Sequence, residues 1–349
     1  MTKRENILKT VRFETPDYIP MIFSFNPACW NHYPKDALFE LMSEHHFLFP
    51  DFDANHPPVP YYGPQQRAGQ PYTDGWGCVW KTTKDGISGS VAEHPLESWD
   101  AFDGYTPPDP ALSCGLEPRD WNQIASNLQK VRSNGELTSG SLNHGHTFLL
   151  MCDLRGYQNL LFDMIDQDPR LYKLLGVIED FNLSVVTRFL ELGIEWMSYP
   201  EDLGMQIGPM ISPELFRRFI KPSYQRIMEP ARKAGCIVHM HSDGDIRSLA
   251  ADLVDGGVQV LNLQDLVNGI DWIVENFAGK VCIDLDIDRQ TITPNGTPQQ
   301  IDALIREEVE NLSTKNGGLM MLYGLYPGVP LENVKVLMDA MERYAFYYA

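Results

Sequence analysis

The sequence predicts an α/β protein built as one (β/α)8 barrel. Three observations predict it. Short β-like runs alternate with helical patterns along most of the chain, and that alternation implies parallel strands. Most of the runs are introduced by a glycine or proline turn, at Pro20, Gly193, Gly235, Gly256-Gly257, Gly279 and Gly317-Gly318. The chain has 349 residues, 43% of them hydrophobic, which is enough to fill one large barrel, although length alone also allows two domains.

The elements follow in order. The first run is Ile19–Phe25 (IPMIFSF), followed by a helix over Lys35–His45. An eighth strand is placed in the Phe47–Asp53 region. Residues 54–110 then interrupt the rhythm with a segment rich in Pro, Gly, Tyr and Trp. It reads as an insertion that covers one mouth of the barrel. Within it a hairpin is expected, Trp76–Thr82 paired with Ile87–Ala92 across Lys84-Asp85-Gly86. A helix over Asp120–Ser133 leads to the run Leu137–Leu142, then helices over Gly156–Met164 and Pro169–Leu192, then the run Trp196–Tyr199. Ser212-Pro213-Glu214 opens a helix, because Ser caps, Pro loses nothing at the first position and Glu suits the positive end. It runs to about Lys233, with interruptions expected at Pro222 and Pro230. Next come Cys236–His241, a helix over Asp245–Asp255, Val258–Leu263, a helix over Gly269–Phe277, and Val281–Leu285. Thr297-Pro298 opens a helix to about Leu312, and Leu319–Tyr323 precedes a last helix over Leu331–Tyr347. The expectation is a single domain over residues 1–349.

Charge narrows the partners. Acidic residues number 47 and basic ones 28, giving a net charge of −19. A phosphate backbone selects clustered Lys and Arg, so nucleic acid is excluded, and adhesion to an anionic membrane is disfavoured. No stretch approaches the ~20 apolar residues of a membrane span. MTKRENILKTVRFETPDYIP lacks an apolar signal region, and the six cysteines show no CxxC spacing. A cytoplasmic protein with free thiols is expected. GxxxxGK[ST], GxGxxG after a strand, GxSxG and HExxH are all missing, which removes the usual signatures of P-loop, Rossmann, elbow-serine and zincin chemistry.

Catalytic groups of such barrels sit where strands end and βα loops begin. In CIVHMHSDGD, His239 and His241 share one face of a strand. Such a pair can hold zinc only if further ligands come from elsewhere, with Glu201, Asp202 and Cys282 as available donors. Alternatively both are hydrogen-bonded lumen residues that orient a substrate. In CIDLDID, Asp284, Asp286 and Asp288 share a parity with Cys282, and one or two of them are expected to face the site. In NHGH, Gly145 lets the loop bend and leaves Asn143 and His146 for substrate contact. An aromatic set that includes Trp30, Tyr323 and Tyr326 falls in segments placed at the mouth, where it would accept a flat or apolar molecule.

The ordered segments EDLGMQIGPMISPELFRRFIKP, CIVHMHSDGDI, VCIDLDIDRQ and PGVPLENV, with RENILKTVRFETPDYIP and TDGWGCVW before them, resemble the uroporphyrinogen decarboxylase superfamily over nearly the whole chain. The resemblance implies one (β/α)8 TIM barrel. The decarboxylases proper grip a polyanionic tetrapyrrole through an arginine-rich N-terminal motif. Pro20–Pro34, the corresponding region, contains no arginine, so a tetrapyrrole is not the expected substrate. The corrinoid-linked methyltransferase branch binds zinc through His-x-Cys and a later Cys. Here His239 is kept, His241 stands where Cys would be, and Gly317–Leu331 has no cysteine. The resemblance therefore implies a rebuilt zinc site of His239, His241 and Glu201, suited to polarising an ether or alcohol oxygen. The expected function is methyl transfer from a small methoxylated aromatic donor to the cobalt of a separate corrinoid protein. His239, His241, Asp243 and Asp202 are the expected catalytic residues. Asn143, His146, Trp30, Tyr323, Tyr326 and Asp284 are the expected substrate contacts, and a homodimer is a further expectation. The alternatives are a metal-free decarboxylase of a small acid, using Arg155 and Arg289, and a non-catalytic binding module.

Overall fold

The computed structural model describes residues 1–349. Seven parallel strands form the central sheet: β1 (Met21–Phe25), β2 (Ser139–Ser141), β3 (Trp196–Pro200), β4 (Ile237–Ser242), β5 (Val260–Gln264), β6 (Cys282–Asp286) and β7 (Leu319–Leu325). Their spatial order is β1-β7-β6-β5-β4-β3-β2, so the sheet curls round and leaves β1 and β2 at its two edges. Each of the seven expected runs is a strand to within three residues. This is the expected barrel class.

The eighth strand is absent. Residues 47–53 form turns between β1 and β2 in the chain. Two causes are visible. The amides of Phe47 and Leu48 donate to Glu342 Oε1 rather than to a ladder, and Pro50 has no amide to offer. The segment stays beside β1 through its rings instead, Phe49 stacking on Phe25 at 5.6 Å.

A helix over Lys3–Arg12 precedes the first expected element. Thr2 and Glu5 make its capping box. Its Leu8 and Val11 join Trp196, Ile237, Val260, Cys282 and Met320 in an apolar cluster that plugs the N-terminal end of the barrel. The expected helix over 212–233 is helical throughout, with a π-helical stretch at Phe216–Ile220 before Lys221–Lys233. Pro222 is accommodated in the first turn of that last segment. The expected helix over 245–255 shrinks to Ala250–Asp255.

In the insertion, Val79–Lys81 pairs with Ser90–Glu93 as the hairpin predicts, and Tyr72–Thr73 adds a third antiparallel strand. This small sheet shares the main core: Trp76, Cys78, Leu96 and Trp99 belong to the same cluster of 72 buried residues as the barrel wall. All six cysteines are free. No helix is long and apolar enough to cross a membrane.

Candidate active site

Two loops cross at the C-terminal end of the barrel and build the site. The loop after β3 runs Glu201-Asp202-Leu203-Gly204; the loop after β4 runs Asp243-Gly244-Asp245. They meet backbone to backbone. A Cβ on Gly204 would lie 2.5 Å from Gly244 C, and one on Gly244 would lie 2.2 Å from Gly204 C. Gly244 also needs a φ of +82°. The crossing is fixed by Gly204 N–H to Asp243 O (3.2 Å) and Asp245 N–H to Met205 O (2.7 Å). Asp243 N–H donates to Asp202 Oδ1 at 3.2 Å, which brings the two carboxylates to one place.

The loop after β2 approaches from the side. Gly145, at φ +74°, turns the NHGH segment and donates to Pro200 O at 2.9 Å. His144 Nε2 then lies 3.1 Å from Asp202 Oδ1, and His241 Nε2 lies 3.5 Å from the same oxygen. His144, Asp202 and His241 form a group whose ligand atoms all fall within 4.8 Å of one another, and so do His241, Asp243 and Asp286.

The electrostatics follow from that geometry. Burial alone would lower the His241 pKa, but its hydrogen bond to Asp202 and the charges of Asp243 and Asp202 outweigh it and push the imidazole up to about 9. For Asp202 burial favours the neutral form, and the hydrogen bonds from His144 and His241 overcome it and hold the carboxyl far below its usual value. His144 is raised by the same partnership with Asp202 against the opposing effect of burial. Asp286 is pushed up to about 7, mainly by burial, with Arg289 opposing. Arg289 bridges Asp286 (2.7 Å) and Asp243 (3.1 Å), its guanidinium 5.5 Å from the Tyr326 ring.

The family model described as uroporphyrinogen decarboxylase (URO-D) matches residues 79–344. The chain belongs to the uroporphyrinogen decarboxylase family. A methyltransferase from Methanosarcina mazei shares its fold over 99% of both chains, with a TM-score of 0.66 and 18% identity. Uroporphyrinogen decarboxylases from two strains of Thermus thermophilus are 27% and 26% identical over 141 residues. Those matches span 39% of this chain and only 38% of each relative. The family supports an enzyme, and the likeness to the methyltransferase, at 18% identity, shows a shared fold.

For this family member the expected site residues divide. Asp202, His241 and Asp243 are gathered at the mouth, with Tyr326 beside Arg289. His239 and Asp284 are not with them. They lie one pleat deeper and pair with each other, Nε2 to Oδ2 at 3.1 Å, with the ring 5.2 Å from Trp196. The expected set of His239, His241 and Glu201 is therefore not brought together. Glu201 is fully buried and accepts from the amides of Thr147, Phe148 and Leu149 and from the Tyr224 hydroxyl. It caps the Phe148–Arg155 helix and belongs to neither group of ligand atoms that converge within 4.8 Å.

Five other residues lie elsewhere. Tyr323 is not at the mouth; it points out of the barrel wall onto Phe23, its hydroxyl 3.1 Å from Thr293 Oγ1. Trp30 sits in the Cys29–His32 turn against Phe25 and Phe39, away from the cluster. Arg155 is bound to Asp163 and to the carbonyls of Leu96 and Glu97. Cys282 lies in the apolar plug, and Asp288 caps Ile292–Asn295 through several amides.

Asn143 and His146 face a small cavity beside the cluster rather than the mouth itself. His146 is kept neutral, its pKa lowered to about 3 by burial and by the nearby His144. His144 is the member of the site that sequence reasoning misses. The NHGH spacing flags both rings, but past the strand end parity no longer says which ring faces the mouth. Asp286 is visible as one carboxylate of CIDLDID; its partner Arg289 selects it.

Proposed function

We propose that this protein moves a methyl group from a small methoxylated aromatic donor to the Co(I) of a separate corrinoid protein. The observation that carries this reading is the His144–Asp202–His241 cluster at the C-terminal mouth. Breaking an O–CH3 bond leaves the electron pair on oxygen, and an unassisted alkoxide or phenolate is a poor leaving group. His241, charged at neutral pH, holds a proton at Nε2 that the departing oxygen can take, giving the free alcohol or phenol. The methyl group passes to Co(I), which supplies the pair for the new bond. Asp202 orients both rings. Arg289 bridges Asp243 and Asp286 and offsets part of their negative charge beside His241.

The same donors fit zinc. Two imidazoles and one carboxylate make a three-ligand set with a position left for substrate. Zinc bound there would take the place of the proton on His241 Nε2 and would supply Lewis-acid polarisation of the donor oxygen instead of proton donation. This set replaces that of His239, His241 and Glu201, because neither His239 nor Glu201 belongs to a converging group of donors.

Decarboxylation is the second reading, favoured by the family's name. It needs a basic group facing a carboxylate. Arg155 is tied to Asp163, and Arg289 is already shared by two carboxylates. The test is incubation of the purified protein with a Co(I) corrinoid protein and a panel of methoxylated arenes, following loss of the Co(I) absorbance. Transfer from at least one donor is expected. No transfer, together with CO2 release from an aromatic acid, would overturn the proposal in favour of the second reading.

A further inference from the structure

Between the small sheet of the insertion and the loop after β2 lies a cavity of about 40 Å³, walled by Trp76, Trp80 and Phe181. Two polar atoms that line it have no partner: Arg119 Nη1 and His146 Nε2. Buried polar groups in native proteins are nearly always matched, so each unmatched one calls for an explanation. His146 is only 3% exposed. Arg119 is held in place by its stem and by the faces of Trp121 and Phe189, 5.0 and 5.7 Å from its guanidinium carbon. Three other polar side chains are committed, while the Asp153 carboxyl, also on the wall, has no hydrogen-bond partner. Asp74 takes Cys78 N–H and Trp80 Nε1–H, Asn143 donates to Cys114 O, and Asn182 donates to His146 O.

We infer that this cavity is a subsite for a neutral oxygen group — hydroxyl, ether or carbonyl — on a flat apolar molecule whose body lies in the adjoining cleft. The free N–H of Arg119 asks for an acceptor, and a hydroxyl also suits the ring nitrogen of His146 in either tautomer. A carboxylate would be opposed by Asp74, which lines the same cavity, and by Asp153 once pH rises above about 7. An ammonium group would be opposed by Arg119. The cavity holds a water or one small substituent but not a ring. Trp80, Leu116 and His144 line both it and a wider cleft of about 480 Å³, where Leu149 and Tyr157 add apolar surface. Gln65 Oε1, also unpartnered, lines that cleft. His144 belongs to the mouth cluster as well, so a molecule seated here has one edge at His144, whose Nε2 lies 3.1 Å from Asp202 Oδ1. That the molecule is the methyl donor rests on the function proposed above; the binding chemistry does not.

The full-length protein is titrated with phenol, anisole, toluene, benzoate and benzylamine, and binding is read by tryptophan fluorescence and calorimetry. Phenol and anisole are expected to bind at least tenfold tighter than the other three. Arg119→Met keeps the stem and is expected to weaken both about tenfold, with Arg119→Lys recovering part of the loss. His146→Asn is expected to weaken phenol more than anisole. If Arg119→Met fails to fold, the ligand series and Arg119→Lys decide. Equal affinity for phenol, toluene and benzoate, or no change in either Arg119 variant, overturns the inference. Binding that depends on Arg119 without any methyl transfer would leave the subsite standing and remove the methyltransferase reading. Methyl transfer with an unchanged KM in Arg119→Met would do the reverse.

Discussion

The Nε2 atoms of His144 and His241 converge on a single oxygen, Oδ1 of Asp202, at 3.1 and 3.5 Å. The two rings come from different loops, after β2 and after β4, so Asp202 is the group that makes them one unit. In metal-free protein, Asp202→Asn removes the anion that holds the proton on His241. The His241 pKa is then expected to fall from about 9, with the imidazole becoming at least tenfold more acidic, as read from its C–H resonances in NMR. The sign for stability follows. A raised imidazole pKa contributes stability that is fully present below about 6.5 and lost as pH rises through about 9. The His241 contribution to wild-type stability should therefore decline across that window, and the variant's should decline less. Methyl transfer should drop by ~10²–10³-fold, the range expected when general acid catalysis is impaired.

Metal content separates the two candidate ligand sets. His144→Ala and His241→Ala are expected to lose zinc, measured by mass spectrometry after loading and desalting, because each removes one of the donors within 4.8 Å of the others. His239→Ala is expected to retain it, since His239 pairs with Asp284 a pleat below. Retention in His144→Ala with loss in His239→Ala would restore the deeper set, since His241 belongs to both.

The loop crossing makes its own prediction. Gly244→Ala places a Cβ 2.2 Å from Gly204 C and strains a φ of +82°. The loops must part, and Asp202 and Asp243 part with them. Activity should fall at least tenfold while the far-ultraviolet circular dichroism of the barrel persists. Unchanged activity would show that the crossing does not position the carboxylates.

These residues also show how far the sequence can be read. The strands are legible because each is a short apolar run behind a glycine or proline turn, and His241, Asp202 and Asp243 are legible because they follow strand ends. The failures have physical causes. Glu201 and Asp202 are neighbours, and nothing local says that one turns inward to cap Phe148–Arg155 while the other turns to the mouth. Tyr323 has the wrong parity for the lumen, which becomes visible only once the register Phe23↔Tyr323 is known. The pairing of His239 with Asp284 joins residues 45 positions apart. Arg119 and His146 meet one cavity only because the insertion folds back beside β2.

Glu201 is expected to matter for stability, whatever its effect on catalysis. It satisfies three amides at the start of a helix and one buried tyrosine. Glu201→Ala strands those donors, and each unmatched buried group costs ~1–3 kcal/mol. A loss of roughly 3 kcal/mol or more is expected in urea unfolding. Glu201→Gln, which keeps an acceptor oxygen, should lose less than half of that. Near-equal losses would mean that the carboxylate charge matters more than the caps.

Asp153 supplies the last test, and its direction is the opposite of an ion-paired carboxylate's. It has no cationic partner within salt-bridge reach, and burial, with Asp74 and Glu201 adding to it, pushes its pKa up from 3.8 to about 7. A carboxyl group raised in the folded state contributes stability that is fully present below its unfolded pKa and is lost as pH rises through the folded one. The Asp153 contribution should therefore weaken between about pH 4 and about pH 7 and level off above it. Asparagine has the same shape and cannot ionise. Asp153→Asn should match wild type near pH 4 and exceed it at pH 8, by roughly 1–3 kcal/mol, since a tenfold change in acidity is worth ~1.4 kcal/mol. Urea unfolding at pH 4, 6 and 8 reads the difference. A variant that is less stable than wild type at pH 8 would show that the ionised carboxylate has a partner in the folded protein, and would place a cation in the cleft beside His144.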